Sequence, residues 1–331
     1  SPWFSAIYIL LFISLIGCVL PRTIKHVRSI LNRKAPTKGY LYETGNLAFH
    51  LSLIFILIGI ALGSLYGMKG QAIINVGDRF VNTATSYDTL GFGKFSSEKS
   101  LAPFALTVTD FHAKYDPKTN APEDYKLDVD ISYPIESKAV HKVIKVNSPL
   151  TYGSTKIYLQ ANGYSPMVSI KDKTGKTEFE GAVPFLPQDG NLTSSGAIKL
   201  PDANPQIGII GTFTPTYSMT NSKGAVSAFP EALDPRLVFS VWSGNLGLDS
   251  GIPQSVYRVD TSKMTRIGLK SLKVGETYNF NEGSITFVGW KPWVNIEVGR
   301  DPGKLIALFG ALFAVMGLLA SLFIGHRKEE V

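Results

Sequence analysis

Three apolar segments constrain this 331-residue chain more than any other feature: Trp3–Leu20, Leu47–Met68 and Lys304–Ile324. Each is long enough to cross a bilayer as a helix, which takes about 20 residues. Backbone N–H and C=O groups in hydrocarbon must pair internally, so apolar runs of this length become helices there. Membrane helices are therefore expected over 1–20, 46–68 and 303–325. Between the second and third lies a polar stretch, 69–302, large enough to bury a core of its own.

The charge pattern orients these segments. "PRTIKHVRSILNRKAPTK" carries Arg22, Lys25, Arg28, Arg33, Lys34 and Lys38 and no acid. Short loops rich in Lys and Arg stay cytoplasmic, so 21–45 is expected to be a cytoplasmic loop. The polar domain 69–302 is then extracytoplasmic, and the tail 326–331, "HRKEEV", returns to the cytoplasm. Ser1 falls on the outer side with neither an initiator Met nor a signal peptide, so one further membrane helix is expected upstream. The stretch Lys69–Gly303 holds 24 basic and 23 acidic residues, a balance that argues against nucleic acid as a partner. The single cysteine, Cys18, lies in the first membrane segment and reads as a small apolar residue, which leaves the domain without disulfides.

The domain is rich in turn residues and broken by short alternating runs. "YKLDVDISY" (Tyr125–Tyr133) sets its apolar side chains on one face, the period of a half-buried strand. "KVIKV", "KIYLQA", "MVSIKDKTGKTEFEG", "RLVFSVW", "ETYNFNEGSITFVGW" and "WVNIEV" continue the pattern, with "DKTG" as a hairpin turn. An all-β, sandwich-like domain is expected, with two subdomains meeting near "PDANPQIGIIG" (201–211). It contains no G-x-S-x-G, no P-loop and no H-E-x-x-H. His112 and His141 are isolated in sequence and read as solvated strand positions, as do the acids Glu123, Asp124, Asp128 and Asp130. The domain therefore reads as a binding or scaffolding module without catalysis of its own. At its exit, Trp290 and Trp293 are expected at the membrane interface, with Asp301 as N-cap and Pro302 as first residue of the last helix.

The second membrane segment carries the unusual residue. His50 sits about one turn inside the apolar run, in the half nearer the basic loop. Ionisable side chains in hydrocarbon are costly and tend to be functional. Glu43, Asn46 and His50 share a narrow arc, while Gly59, Gly63 and Gly67 fall on the other side as a helix-packing stripe. Three roles for His50 stay open on this reading: a hydrogen bond to a neighbouring helix, a proton relay, or ligation of a metal or haem by a neutral imidazole. The chain offers no second intramembrane histidine at a spacing that would complete a two-histidine site.

Several stretches resemble one family over nearly the whole chain, more loosely across Gly181–Gly275. They are "SPWFSAIYILLFISLIGCVLPRT", "GYLYETGNLAFHLSLIFILIGIALGSLYGMKG", "NSPLTYGSTKIYLQANGYSPMVSIKD" and "IEVGRDPGKLIALFGALFAVMGLLASLF". With the landmarks E-T-G-N-L-x-F-H, G-Y-x-P and D-P-G-K, the chain is similar to the ResB (CcsB) family of System II cytochrome c biogenesis. The resemblance implies four membrane helices, of which these are the second to fourth. It also implies a multi-helix membrane partner of the ResC (CcsA) type, together forming a cytochrome c haem lyase. Haem b in transit would be held by transmembrane histidines, one from each half, and passed to the C-x-x-C-H motif of apocytochrome c on the outer face. His50 matches the family's intramembrane histidine, so the expected role is axial haem-iron ligand. Glu43 and Asn46 would orient the imidazole, and Arg22 would pair with a propionate. The competing expectation is a membrane-anchored adaptor subunit that never binds haem.

Overall fold

The computed structural model describes residues 2–32, 38–221, 224–248, 251 and 254–326. Among the described residues three helices are long and apolar enough to cross a membrane: α1 (Pro2–Leu31), α2 (Lys38–Tyr66) and α3 (Lys304–His326). Their outward side chains, among them Ile7, Leu11, Phe55, Leu308 and Phe313, are exposed, as lipid-facing residues are. The expected loop 21–45 is largely helical instead. α1 runs on to Leu31 through Pro21, and α2 begins at Lys38. Pro21 removes one backbone donor without ending the helix, and Thr23 Oγ1 donates to Val19 O (2.9 Å) across the same turn. Arg33, Lys34 and the tail beyond His326 lie outside the described residues.

α2 and α3 pack antiparallel along a seven-residue repeat of small side chains. Gly45 faces Gly317, Ser52 faces Gly310 and Gly59 faces Gly303. A Cβ on Gly59 would stand 2.6 Å from Ala307 N and 2.8 Å from Gly303 O; one on Gly317 would stand 2.6 Å from Phe49 N. Close backbone approach of this kind is what small residues allow between membrane helices. Of the expected stripe, Gly59 lies in this seam and Gly63 meets the Asp301 carboxylate. Gly67 belongs to the helix end, its N–H donating to Gly63 O (2.8 Å).

The domain follows with almost no linker. Gly67 alone separates α2 from strand Met68–Asn75, and three residues separate strand Gly283–Arg300 from α3. These two strands pair antiparallel, Met68 opposite Arg300. The helix pair thus continues as a strand pair. Asp301 Oδ1 accepts from Gly303 N (2.9 Å) just ahead of α3. The helix itself starts at Lys304 and Gly303 O accepts its first bond from Ala307 N (3.0 Å), so Pro302 lies in the preceding turn and not at the first helical position expected.

Two strands of 18 residues, Thr155–Asp172 and Gly283–Arg300, form the spine of a seven-stranded sheet. At about 3.3 Å per residue each spans roughly 60 Å. The half nearer the helices packs on a four-stranded sheet (Arg79–Val81, Ala105–Tyr115, Pro122–Ser132, Val140–Lys145) around Phe104, Leu106, Leu127 and Ile296. The far half packs on a five-stranded sheet around Phe185, Phe213, Phe239 and Phe287. The domain is therefore two sandwiches sharing one sheet. Residues 201–211 are not their junction: 201–206 turn between strands Ser194–Leu200 and Ile207–Thr214 of the five-stranded sheet, and 207–211 belong to the second of these.

The true junction is at Trp293. This indole is buried, and Nε1 donates to Phe185 O (3.0 Å) and Tyr164 O (3.2 Å). Its ring occupies the space a Cβ on Gly163 would need. The expected membrane-interface role for Trp293 fails on strand geometry, since seven residues of strand to Arg300 carry it about 23 Å from the helix end. Trp290 lies further still along the same strand, its ring edge-on to Tyr164 (centroids 5.2 Å apart). Trp293→Ala is expected to cost about 3–5 kcal/mol of domain stability. Trp293→Phe keeps most of the packing and should cost less, so denaturant unfolding of the full chain will rank the two variants.

Candidate functional site

At 100° per residue, the side chains of α2 can be placed by angle around its axis. Gly45 and its repeat face α3. Thr44 faces α1, where its Oγ1 lies 2.8 Å from His26 Nε2. His50 lies about 140° from Gly45 and about 120° from Thr44; on its own arc Leu57 O accepts from Tyr8 Oη (3.3 Å), so α1 also reaches this side of α2. His50 is half-buried, and the Phe49 ring stands edge-on to it at 5.2 Å.

His50 Nδ1 is 2.7 Å from the backbone oxygen of Asn46, one turn back on the same helix. A carbonyl only accepts, so Nδ1 carries the proton. In a neutral imidazole the lone pair is then on Nε2, the atom free to ligate a metal. Ligating histidines characteristically donate their other ring nitrogen to a carbonyl or carboxylate, which fixes tautomer and orientation. The donor chemistry at His50 therefore fits a haem-iron ligand. Among the described residues His50 makes no hydrogen bond to another helix.

The other expected site residues are placed less centrally. Asn46 supports the imidazole through its backbone oxygen rather than its amide. Glu43 turns towards α1, its Oε2 lying 3.8 Å from His26 Nδ1. Arg22 is exposed and, among the described residues, pairs with no carboxylate. His26 itself was not foreseen. It is 8% exposed, between α1 and α2. The signal that could have found it is its spacing of seven from buried Val19, legible only if the helix is continued past Pro21.

On the domain surface the histidines expected to be isolated come together. His141 Nε2 is 3.2 Å from Asp128 Oδ1, His112 Nε2 is 3.7 Å from Asp128 Oδ2, and Lys126 Nζ is 2.8 Å from that same oxygen. Asp130 and Asp110 complete the group, 3.2 Å from His141 Nδ1 and His112 Nε2 respectively. Adjacent strands produce this meeting: Asp128 pairs with Asp110 on one side and Val143 on the other. Among the described residues no group of three or more His, Cys, Asp or Glu side chains is arranged to hold a metal. The hydrogen bond from Lys126, followed by the Lys126, His141 and His112 charges, holds the Asp128 carboxyl below the usual range against its burial. A lowered pKa contributes stability above the unfolded value of about 3.9, and that contribution disappears as pH falls through the folded value. Asp128→Asn should therefore lower the melting temperature between pH 5 and 7. The two curves should converge in acid below the folded pKa, as thermal scans across pH will show.

Helices of membrane-spanning length, a β-domain joined to them almost without a linker and a half-buried imidazole whose Nδ1 is held by its own helix define a membrane protein with a metal-ligand type side chain in its second helix. The chain matches the ResB-like family over residues 1–38 and 34–329, and it belongs to that family. It is 24% identical over 297 residues to the cytochrome c biogenesis protein CcsB of Gloeobacter violaceus, covering 82% of this chain and 60% of that protein. It is 24% identical over 289 residues to Ccs1 of Trieres chinensis (86% and 55%), and 26% identical over 240 residues to CcsB of a Synechococcus species (65% and 48%). The chain thus spans about half to three-fifths of the length of these curated relatives.

Proposed function

We propose that this chain is a subunit of a cytochrome c biogenesis complex and that His50 supplies one axial ligand to haem in the membrane. The reading rests on one observation above others: His50 Nδ1 is committed to Asn46 O, which leaves Nε2 as a lone-pair donor. Family membership and the names of the relatives support the biogenesis role. The bound haem would supply the porphyrin vinyl groups that form thioethers with cysteine thiols. This chain's part is to hold and orient the iron through His50. A second axial ligand would come from a separate ResC/CcsA-type membrane partner. The basic residues Arg22, Lys25, Arg28, Arg33, Lys34 and Lys38 support an extracytoplasmic β-domain, which would meet that partner or apocytochrome c beyond the bilayer.

The test is to purify the chain with its partner and record the haem absorbance of wild type and His50→Ala. A Soret band lost from the variant and partly restored by added imidazole is expected. An unchanged band would sink the assignment.

A further inference from the structure

The junction of helices and domain holds a cavity of about 540 Å³ with an uneven distribution of charge. Its lining includes Lys69, Lys156, Arg300 and Lys304 against Glu297 and Asp301. Both carboxylates already have partners: Glu297 Oε2 is 2.8 Å from Lys69 Nζ, and Asp301 Oδ1 accepts from Gly303 N. Among the described residues neither Lys156 nor Lys304 has a salt-bridge partner. The Arg300 guanidinium is anchored, Nη2 donating to Tyr66 O (3.1 Å) and Ser96 Oγ (3.3 Å). Its Nε is buried and makes no hydrogen bond. The first turn of α3 adds its positive end to the same side. Cations are therefore in surplus, and two of them are uncommitted.

The location selects the kind of anion. The membrane-spanning stretch of α2 ends at Tyr66 and that of α3 begins at Lys304, so the cavity lies where a bilayer's headgroups begin. Beside Lys304 and one turn further along α3, Leu305 and Leu308 are exposed and apolar, a surface suited to an acyl chain. We propose that this cavity binds an anionic phosphate group between Lys156 and Lys304, with Arg300 behind it, presented either by a phospholipid headgroup or as free phosphate. The proposal is independent of haem and of His50.

The full chain in detergent is titrated with short-chain phosphatidylglycerol, with phosphatidylcholine of equal chain length, and with inorganic phosphate, followed by calorimetry. The double variant Lys156→Gln/Lys304→Gln changes two side chains without salt-bridge partners and should fold. Phosphatidylglycerol is expected to bind at least tenfold more tightly than phosphatidylcholine, and the double variant to lose at least tenfold. Inorganic phosphate binding as tightly as phosphatidylglycerol, and lost in the same variant, would support the site and identify its ligand as free phosphate. Equal binding of the two lipids, or equal binding by wild type and variant, overturns the proposal.

Discussion

His50→Ala is expected to reduce holocytochrome c accumulation at least tenfold in cells that depend on this chain, with the protein still present in the membrane. Loss of a residue that merely supports a metal ligand costs about 10–100-fold in affinity or activity, and loss of the ligand itself should cost no less. The fold should tolerate the change. His50 is half-buried on the face of α2 away from the glycine seam, and its one hydrogen bond is to its own helix. His50→Gln separates the readings further. Glutamine can still hydrogen-bond but is a poor ligand for haem iron, whereas an adaptor needs only a tolerable polar side chain. Maturation preserved in His50→Gln would favour the adaptor. Loss in both variants, with partial rescue of His50→Ala by imidazole, is the outcome expected of a ligand.

Gly303→Val is expected to be the most damaging single change to the fold. A Cβ there would run into the Gly59 carbonyl, and a backbone group cannot swing aside as a flexible side chain can. Overpacking in well-packed interiors costs about 1–3 kcal/mol, occasionally more, and contact with backbone belongs at the upper end. The damage should spread, because three residues separate α3 from the strand that runs through both sandwiches. Thermal scans of the purified chain should show Gly303→Val strongly destabilised, or absent from the membrane fraction. Gly17→Ala should be neutral, since a Cβ on Gly17 meets nothing within 4 Å. Equal stability of the two variants would show that the α2–α3 seam carries little of the fold.

The helices were legible because a membrane span is a local property: length and apolarity suffice. The turn at Asp301 was legible for the same reason, though α3 starts two residues later than expected, as was the angular separation of His50 from Gly59. The long strands were not. "GYSP" and "WKPW" carry the Gly and Pro that usually punctuate turns, yet they lie within strands 155–172 and 283–300 where one sandwich gives way to the other. Register shifts near Phe287 and Asn295 accommodate the change there. Trp293 looked like an interfacial anchor because its distance from the helix was counted in residues; a strand covers more than twice the length of a helix per residue.

What the sequence by itself determined is local periodicity: three spans, a β-domain between the second and third, and an imidazole placed off the glycine face of its helix. What only the tertiary structure decided is pairing. The seam needs Gly45, Ser52 and Gly59 matched to residues more than 240 positions away, and the Asp128 group needs three strands in register. The free Nε2 of His50 likewise depended on which atom its Nδ1 met. Periodicity follows from each residue's own preference for water or hydrocarbon. Pairing depends on which distant backbones can approach, and that is a property of the folded chain as a whole.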